Sequence, residues 1–218
     1  MQHQGILVRG SAGPLVAVCR VSPLYTSLLP PKADLIPAPH LTTLQLPLPW
    51  ETFGFPSQWL GRSVHLVTGD PAWDWSDVAP AFGIPATEDT DTTLEEPTHV
   101  QGWAVDHIVL LVPALDEAVA VFAEIGLDPR LRMQVRDRPA AFFRAGPLVE
   151  VVESPVRNPA IYGVTLVCDE PLEGVALRWR SMGLNISTVH SAIQPGRRIF
   201  TVHDTEAGLA VLSPDRAL

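Results

Sequence analysis

The stretch Val105-Asp106-His107-Ile108-Val109-Leu110-Leu111-Val112 opens the part of the chain that decides the fold. A run dominated by Val, Ile and Leu and closed by Pro113 is typical of a buried strand followed by a turn. Apolar residues at helical spacing then predict a helix that begins near Leu115 and stops at Gly126. After it the apolar period changes to two, which predicts short strands at 131–136, 140–145 and 148–152. The predicted unit is a strand, a helix and three strands.

The same order of elements occurs a second time. Residues 161–167 predict another strand, the apolar stripe of 172–182 predicts another helix, and further short strands follow. Leu127 and Leu184 are 57 positions apart, and Phe143 and Phe200 have the same offset. We therefore expect two copies of one module, whose helices bury these apolar residues against their sheets: Leu115, Phe122 and Ile125 in the first, and Leu172, Trp179 and Met182 in the second.

Composition narrows the classes of function. The chain has 218 residues, is 46% hydrophobic and carries a formal net charge of −9. This charge argues against a nucleic-acid backbone or an anionic membrane as the main partner. The amino terminus lacks the cationic start and apolar core of a signal peptide, so we expect a cytoplasmic location. Cys19 and Cys168 are far apart and have no CxxC neighbour, which predicts two buried or half-buried thiols.

The first hundred residues are predicted to be strand and loop, because 13 of the 22 prolines fall there and no helical stripe is sustained. Candidate strands are 6–9, 15–21, 41–48 and 64–67, with a short helix at 75–82. The acidic segment 88–96 has the composition of an exposed connection. We place the boundary after it, between a Pro-rich amino-terminal region, 1–98, and a carboxy-terminal domain, 99–218.

Tryptophans in the amino-terminal region have two interpretations. Their large apolar area either pins Pro- and Gly-rich loops to a core or forms a lid or an oligomer surface. The side chains concerned are Trp50, Trp59, Trp73 and Trp75.

Two polar side chains are predicted to share one face of the module. Strand alternation puts Val105, His107, Val109 and Leu111 on one side of their strand, and it puts Glu150 with its apolar neighbours Leu148 and Val152. An imidazole and a carboxylate on a common face suit Zn, Mn, Fe or Ni, all of which accept nitrogen and oxygen donors.

These residues resemble the first module of the vicinal-oxygen-chelate superfamily, which includes glyoxalases, bleomycin-resistance proteins and extradiol dioxygenases. The resemblance rests on the run from 105 to 122 and on Leu148-Val149-Glu150-Val151-Val152, and it covers roughly 99–216. It implies an α+β fold in which two βαβββ modules form a curved mixed sheet around a cup. It also implies small-molecule ligands, a possible homodimer and, in many members, a divalent metal.

In that family each module contributes one ligand from its first strand and a Glu from its last. His107 and Glu150 match the first pair. In the second module Gly163 stands in place of the histidine, and either Ala210 or Val211 in place of the glutamate, and none of these binds metal. Further ligands are conceivable at His203, or at three histidines of the amino-terminal half: His40, His65 and His99.

A basic strand offers a candidate ligand contact. Strand parity puts Arg132, Gln134, Arg136 and Arg138 on one face, where guanidiniums can clamp a carboxylate or phosphate of a small ligand. The alternative is a solvent-facing edge strand protected by charge. Arg197 and Arg198 are open to the same two interpretations.

Two functional classes follow. The first is a small-molecule-binding protein with a degenerate metal site, which resembles the bleomycin-resistance branch. The alternative is a metal-dependent lyase, isomerase or dioxygenase acting on vicinal oxygens, with Glu150 also serving as the catalytic base.

Overall fold

The structure, a computed structural model, describes residues 38–79, 81–87 and 98–215. Several predictions concern residues outside these ranges: the strands at 6–9 and 15–21, the thiol of Cys19 and the exposed connection at 88–96. Among the described residues, neither α-helix has the length or the apolar character of a membrane-spanning segment.

From residue 103 onward the helices and strands follow the predicted order. In chain order the α-helices and strands of the structure are β1 Leu41–Leu46, β2 Gln58–Gly61, β3 Val64–Thr68, β4 Ala72–Trp75, β5 Trp103–Val112, α1 Leu115–Glu124, β6 Leu131–Val135, β7 Arg138–Arg144, β8 Leu148–Glu153, β9 Ala160–Cys168, α2 Leu172–Ser181, β10 His190–Ser191, β11 Arg198–Val202 and β12 Gly208–Leu212.

The eight strands from β5 to β12 form one mixed sheet in the order β10-β11-β12-β9-β5-β8-β7-β6. The two modules are arranged alike on either side of the sheet's centre. Their first strands, β5 and β9, are antiparallel neighbours, and each pairs in parallel with the last strand of its own module. The prediction of an α+β fold with two βαβββ modules and a curved mixed sheet is confirmed.

Both helices end as their sequences indicate. Gly126 and Gly183 follow them with positive φ angles of 81° and 90°, a conformation that glycine adopts without steric cost. At the other end of α1, the Glu153 carboxylate accepts a hydrogen bond from the Leu115 backbone N–H. The expected burial holds for Phe122 and Trp179, but it is wrong for Met182, which is 48% exposed because α2 ends at Ser181.

A second, four-stranded sheet in the order β2-β3-β1-β4 precedes the modules. β1 and β3 agree with the predicted strands, but the helix predicted at 75–82 is wrong. Trp75 is the last residue of β4 and pairs with Leu41, and Asp77 has a positive φ angle that an α-helix does not accept. A short 3₁₀ helix occurs instead at Trp50–Phe53.

The two sheets share an aromatic core. The tryptophans Trp50, Trp59, Trp73 and Trp75 are between 0% and 7% exposed. Phe53 lies 5.2 Å from Trp179 of α2, measured between ring centroids, and Trp75 lies 6.1 Å from Phe122 of α1. Phe122 in turn stacks on Phe143 of β7 at 4.1 Å. These rings therefore lie on the helix-bearing side of the eight-stranded sheet. We call the opposite side the open face.

Candidate functional site

A buried polar pair lies at the centre of the open face. His107 of β5 and Glu150 of β8 are 8% and 9% exposed, and His107 Nε2 is 3.2 Å from Glu150 Oε2. The register between the strands explains the contact, since Glu150 pairs with Val109, two residues after His107 on the same face. The structure brings these two side chains together as the sequence predicted.

A β-bulge in β5 adds a third polar side chain. Val105 pairs with Leu166 and His107 with Thr165, so Asp106 is an extra residue in the ladder. Because of this insertion Val105 packs into the core instead of sharing the face of His107, which corrects the parity expected from the sequence. Asp106 and His107 can then meet side by side, with Asp106 Oδ2 at 2.8 Å from His107 Nδ1.

Arg197 of the second module binds Asp106 and so connects the two modules at this site. Its Nη2 donates to Asp106 Oδ1 at 2.6 Å, and its Nε donates to the Ser213 carbonyl oxygen at 2.9 Å. The side chains of Arg197 and Asp106 are only 11% and 17% exposed. The four residues Arg197, Asp106, His107 and Glu150 thus form one connected chain of charged and polar groups, which we call the polar chain.

The two carboxyl groups of the polar chain differ in proton affinity. Burial raises the pKa of Glu150 above its ordinary value, with the nearby charges of His107 and Arg136 acting in the opposite direction. Burial alone would also raise the pKa of Asp106, but hydrogen bonds from His107 and Arg197 outweigh it and the pKa lies below its ordinary value. The two carboxyl groups that flank His107 are therefore not equivalent: Glu150 binds a proton more readily than an ordinary glutamate, and Asp106 less readily than an ordinary aspartate.

The corresponding positions of the second module carry no donor side chain. Ala210 of β12 pairs with Thr165, two residues after Gly163, so Gly163 and Ala210 stand where His107 and Glu150 stand in the first module. Of the two residues that the sequence left open, Ala210 is the equivalent one, because Val211 is fully buried in the core.

A metal of the family type does not fit this donor set. Across the described ranges, no three His, Cys, Asp or Glu side chains are grouped so as to hold a metal ion. The predicted third ligand, His203, is exposed and follows the end of β11. The other candidates lie in or beside the small sheet: His40 contacts Ser76, His65 belongs to β3, and His99 pairs with Leu60. Two donors are fewer than the three that catalytic sites supply.

The predicted arginine face does not form. Arg136 and Asp137 are the turn between β6 and β7, with φ angles of 50° and 64°, so Arg138 belongs to the next strand. Arg132 lies opposite the core residue Ala141 and binds Asp116 of α1. Arg138 Nη1 donates to the Ser154 hydroxyl.

These arginines border different grooves. Arg132 lies in a shallow groove of about 390 Å³ beside Leu115, and Arg138 in one of about 380 Å³ beside Pro155. Neither groove is lined by His107 or Glu150. Arg136 is the one of the three whose charge acts on Glu150.

Sequence reasoning missed Asp106 as a site residue and left Arg197 undecided. The one local signal for Asp106 is its position beside His107. Arg197 is separated from Asp106 by 91 positions, so no local pattern connects the two.

No protein-family model matches the chain, and no curated protein matches it. Among solved structures, methylmalonyl-CoA epimerase from Mycobacterium tuberculosis is similar over 50% of this chain and 87% of its own, at 17% identity and a TM-score of 0.44. A variant of the Streptomyces coelicolor methylmalonyl-CoA epimerase, in complex with 2-nitronate-propionyl-CoA, is similar over 51% and 94%, at 13% identity and a TM-score of 0.44. A hypothetical protein from Bacillus halodurans is similar over 54% and 99%, at 12% identity and a TM-score of 0.47.

Proposed function

We propose that the chain is a small-molecule-binding protein that holds its ligand on the open face, against His107 and Glu150, without a divalent metal. The observation that carries the proposal is the connected polar chain, in which both nitrogens of the His107 ring already face carboxylate oxygens. A ligand group with both a donor and an acceptor can bind His107 and Glu150 together.

The surroundings of the pair support a binding site for an organic molecule. Binding sites for small molecules are mostly apolar and contain a few convergent polar groups. Val109 lies beside Glu150 on one neighbouring strand, and Phe142 lies beside it on the other. Both side chains are half-buried on the open face and leave apolar surface next to the polar pair.

The distribution of donors favours binding over metal catalysis. In the second module, Gly163 and Ala210 carry no side chain that can bind a metal. In the first module, the Asp106 carboxylate is already bound by Arg197.

The test combines metal analysis with ligand screening. Protein purified without added metal should contain substoichiometric Zn, Mn, Fe and Ni by elemental analysis. Small organic acids and phenols should bind in ligand-observed NMR in the presence of a chelator, and His107→Ala should remove these signals. Control measurements on Arg178→Met, which alters a surface ion pair far from the site in sequence, should match the wild type. Binding that survives His107→Ala unchanged would contradict the proposal.

One observation favours the alternative, a metal-dependent lyase, isomerase or dioxygenase. Histidines that bind metals usually donate their other ring N–H to a carboxylate, and Asp106 provides such a partner to His107. Under this alternative the purified protein contains about one metal ion per chain, and His107→Ala and Glu150→Gln each release it. The same elemental analysis therefore separates the two functions.

A further inference from the structure

Tyr162 is an aromatic residue on the open face. It belongs neither to the predicted metal ligands nor to the polar chain. A second bulge, between Val109 and Leu110 of β5, places Ile161 opposite Leu110 and Gly163 opposite Val109. Tyr162 is therefore the extra residue of β9. Its side chain is 55% exposed, which is unusual for an aromatic ring in one of the two central strands of the sheet.

The ring of Tyr162 packs beside Gly208 of β12. A Cβ atom at Gly208 would come within 2.5 Å of Tyr162 Cε1, so the ring covers the position where a side chain of β12 would stand. Gly208 and Ala210 alternate with the core residues Leu209 and Val211, which puts this covered position on the open face. An exposed ring in fixed contact with backbone is a ready surface for stacking.

The strand register places this ring on one line with the polar pair. Gly208, Gly163, Val109, Glu150 and Phe142 pair consecutively across β12, β9, β5, β8 and β7. Neighbouring strands are about 4.8 Å apart, so β12, whose Gly208 lies against the Tyr162 ring, is roughly 10 Å from β5. The half-buried side chain of Val109 lies between the Tyr162 ring and Glu150 and forms an apolar floor there.

We infer that Tyr162 is the stacking platform of the ligand site, and that the ligand is a flat aromatic compound with one hydrogen-bonding head, a carboxylic acid or a phenol. The head contacts His107 and Glu150, the ring system crosses Val109, and its far end stacks on Tyr162. The platform occupies the half-site where the second module has lost its donors, so ring contact there replaces metal coordination. This inference rests on the proposed function.

The experiment compares two probes of the same head group and similar size. 2-Naphthoate is flat and aromatic, whereas decahydro-2-naphthoate carries the same carboxylate on a saturated, puckered ring system. Their dissociation constants are measured by calorimetry, with chelator present, on the wild type and on Tyr162→Leu, Tyr162→Phe and His107→Ala. Leu177→Ala, at a position of α2 that is 68% exposed, is the control for an exposed substitution away from the open face.

The platform predicts that Tyr162→Leu weakens 2-naphthoate binding by about fivefold to tenfold, a value within the range measured for one aromatic pair. Tyr162→Phe retains the ring and should stay within about twofold of the wild type. The saturated probe should bind the wild type more weakly and should not respond to Tyr162→Leu. Because Tyr162 is exposed, both Tyr162 variants should keep the wild-type circular dichroism spectrum.

The outcomes separate the platform from the proposed function. Equal losses for both probes in Tyr162→Leu, or no loss for 2-naphthoate, overturn the stacking role. No binding of 2-naphthoate to the wild type overturns the ligand class. Binding that depends on Tyr162 but not on His107 leaves the platform in place and overturns the proposed function.

Discussion

Replacing Arg197 by Met tests whether the second module supports the site through the polar chain. The substitution removes both donations of the guanidinium, one to the Asp106 carboxylate and one to the Ser213 carbonyl. Met has a similar length and is apolar, so the packing along the side chain is largely retained. Asp106 is left as a buried carboxylate with His107 as its remaining partner.

The expected cost follows from burial. Breaking a fully buried ion pair costs about 3–5 kcal/mol, because the surviving charge loses its compensation. The Asp106 side chain is 17% exposed, so water offsets part of this penalty, and we expect a loss of about 2–4 kcal/mol in the free energy of unfolding. Arg178→Met is the matched control, since Arg178 and Glu170 are 47% and 46% exposed and such pairs contribute about 1 kcal/mol or less.

The free energy of unfolding of both variants is measured by urea denaturation at neutral pH, with circular dichroism as the signal. The double substitution Arg197→Met with Asp106→Asn should recover part of the loss, because it removes the unpaired carboxylate as well. A loss for Arg197→Met no greater than that for Arg178→Met would refute the reasoning. It would mean that Asp106 and His107 hold their positions without the second module.

Three further outcomes are expected. The stability advantage of the wild type over Asp106→Asn should be present above the ordinary pKa of an aspartate and should decline as the pH falls through the lowered pKa of Asp106, which melting temperatures across an acid series would show. Phe122→Ala should cost about 3–5 kcal/mol in urea unfolding, since the ring is fully buried, whereas Leu177→Ala should stay within about 0.5 kcal/mol. Gly208→Ala should lower the melting temperature because its Cβ meets the ring of Tyr162, and adding Tyr162→Ala should restore part of the loss if that contact is the cause.

The module architecture was predictable because its signals are local. Period-two and helical spacing mark each element, and the 57-residue offset shows the duplication. The smaller sheet was only half predictable, because β2 and β4 are four residues long and depend on pairing with distant strands. The cytoplasmic location, the homodimer and the domain boundary near 98 stay predictions.

The candidate site was also predictable only in part. His107 and Glu150 could be placed together because alternation and module order fix their face. Asp106 could not, because a bulge is a property of the paired backbone and shifts parity without a sequence mark. The predicted arginine face was wrong for a related reason, since the positive φ angles at Arg136 and Asp137 end β6 and turn the backbone before Arg138.

Gly163 has an evolutionary consequence. A Cβ at this position would lie 1.9 Å from the carbonyl oxygen of Gly208, a distance that no side chain tolerates. A single mutation of Gly163 to histidine therefore cannot give the second half-site a metal ligand unless β9 and β12 also change their approach. Substitutions that change the open face are therefore easier to accommodate at residues that already carry a side chain there, such as Tyr162, than at Gly163.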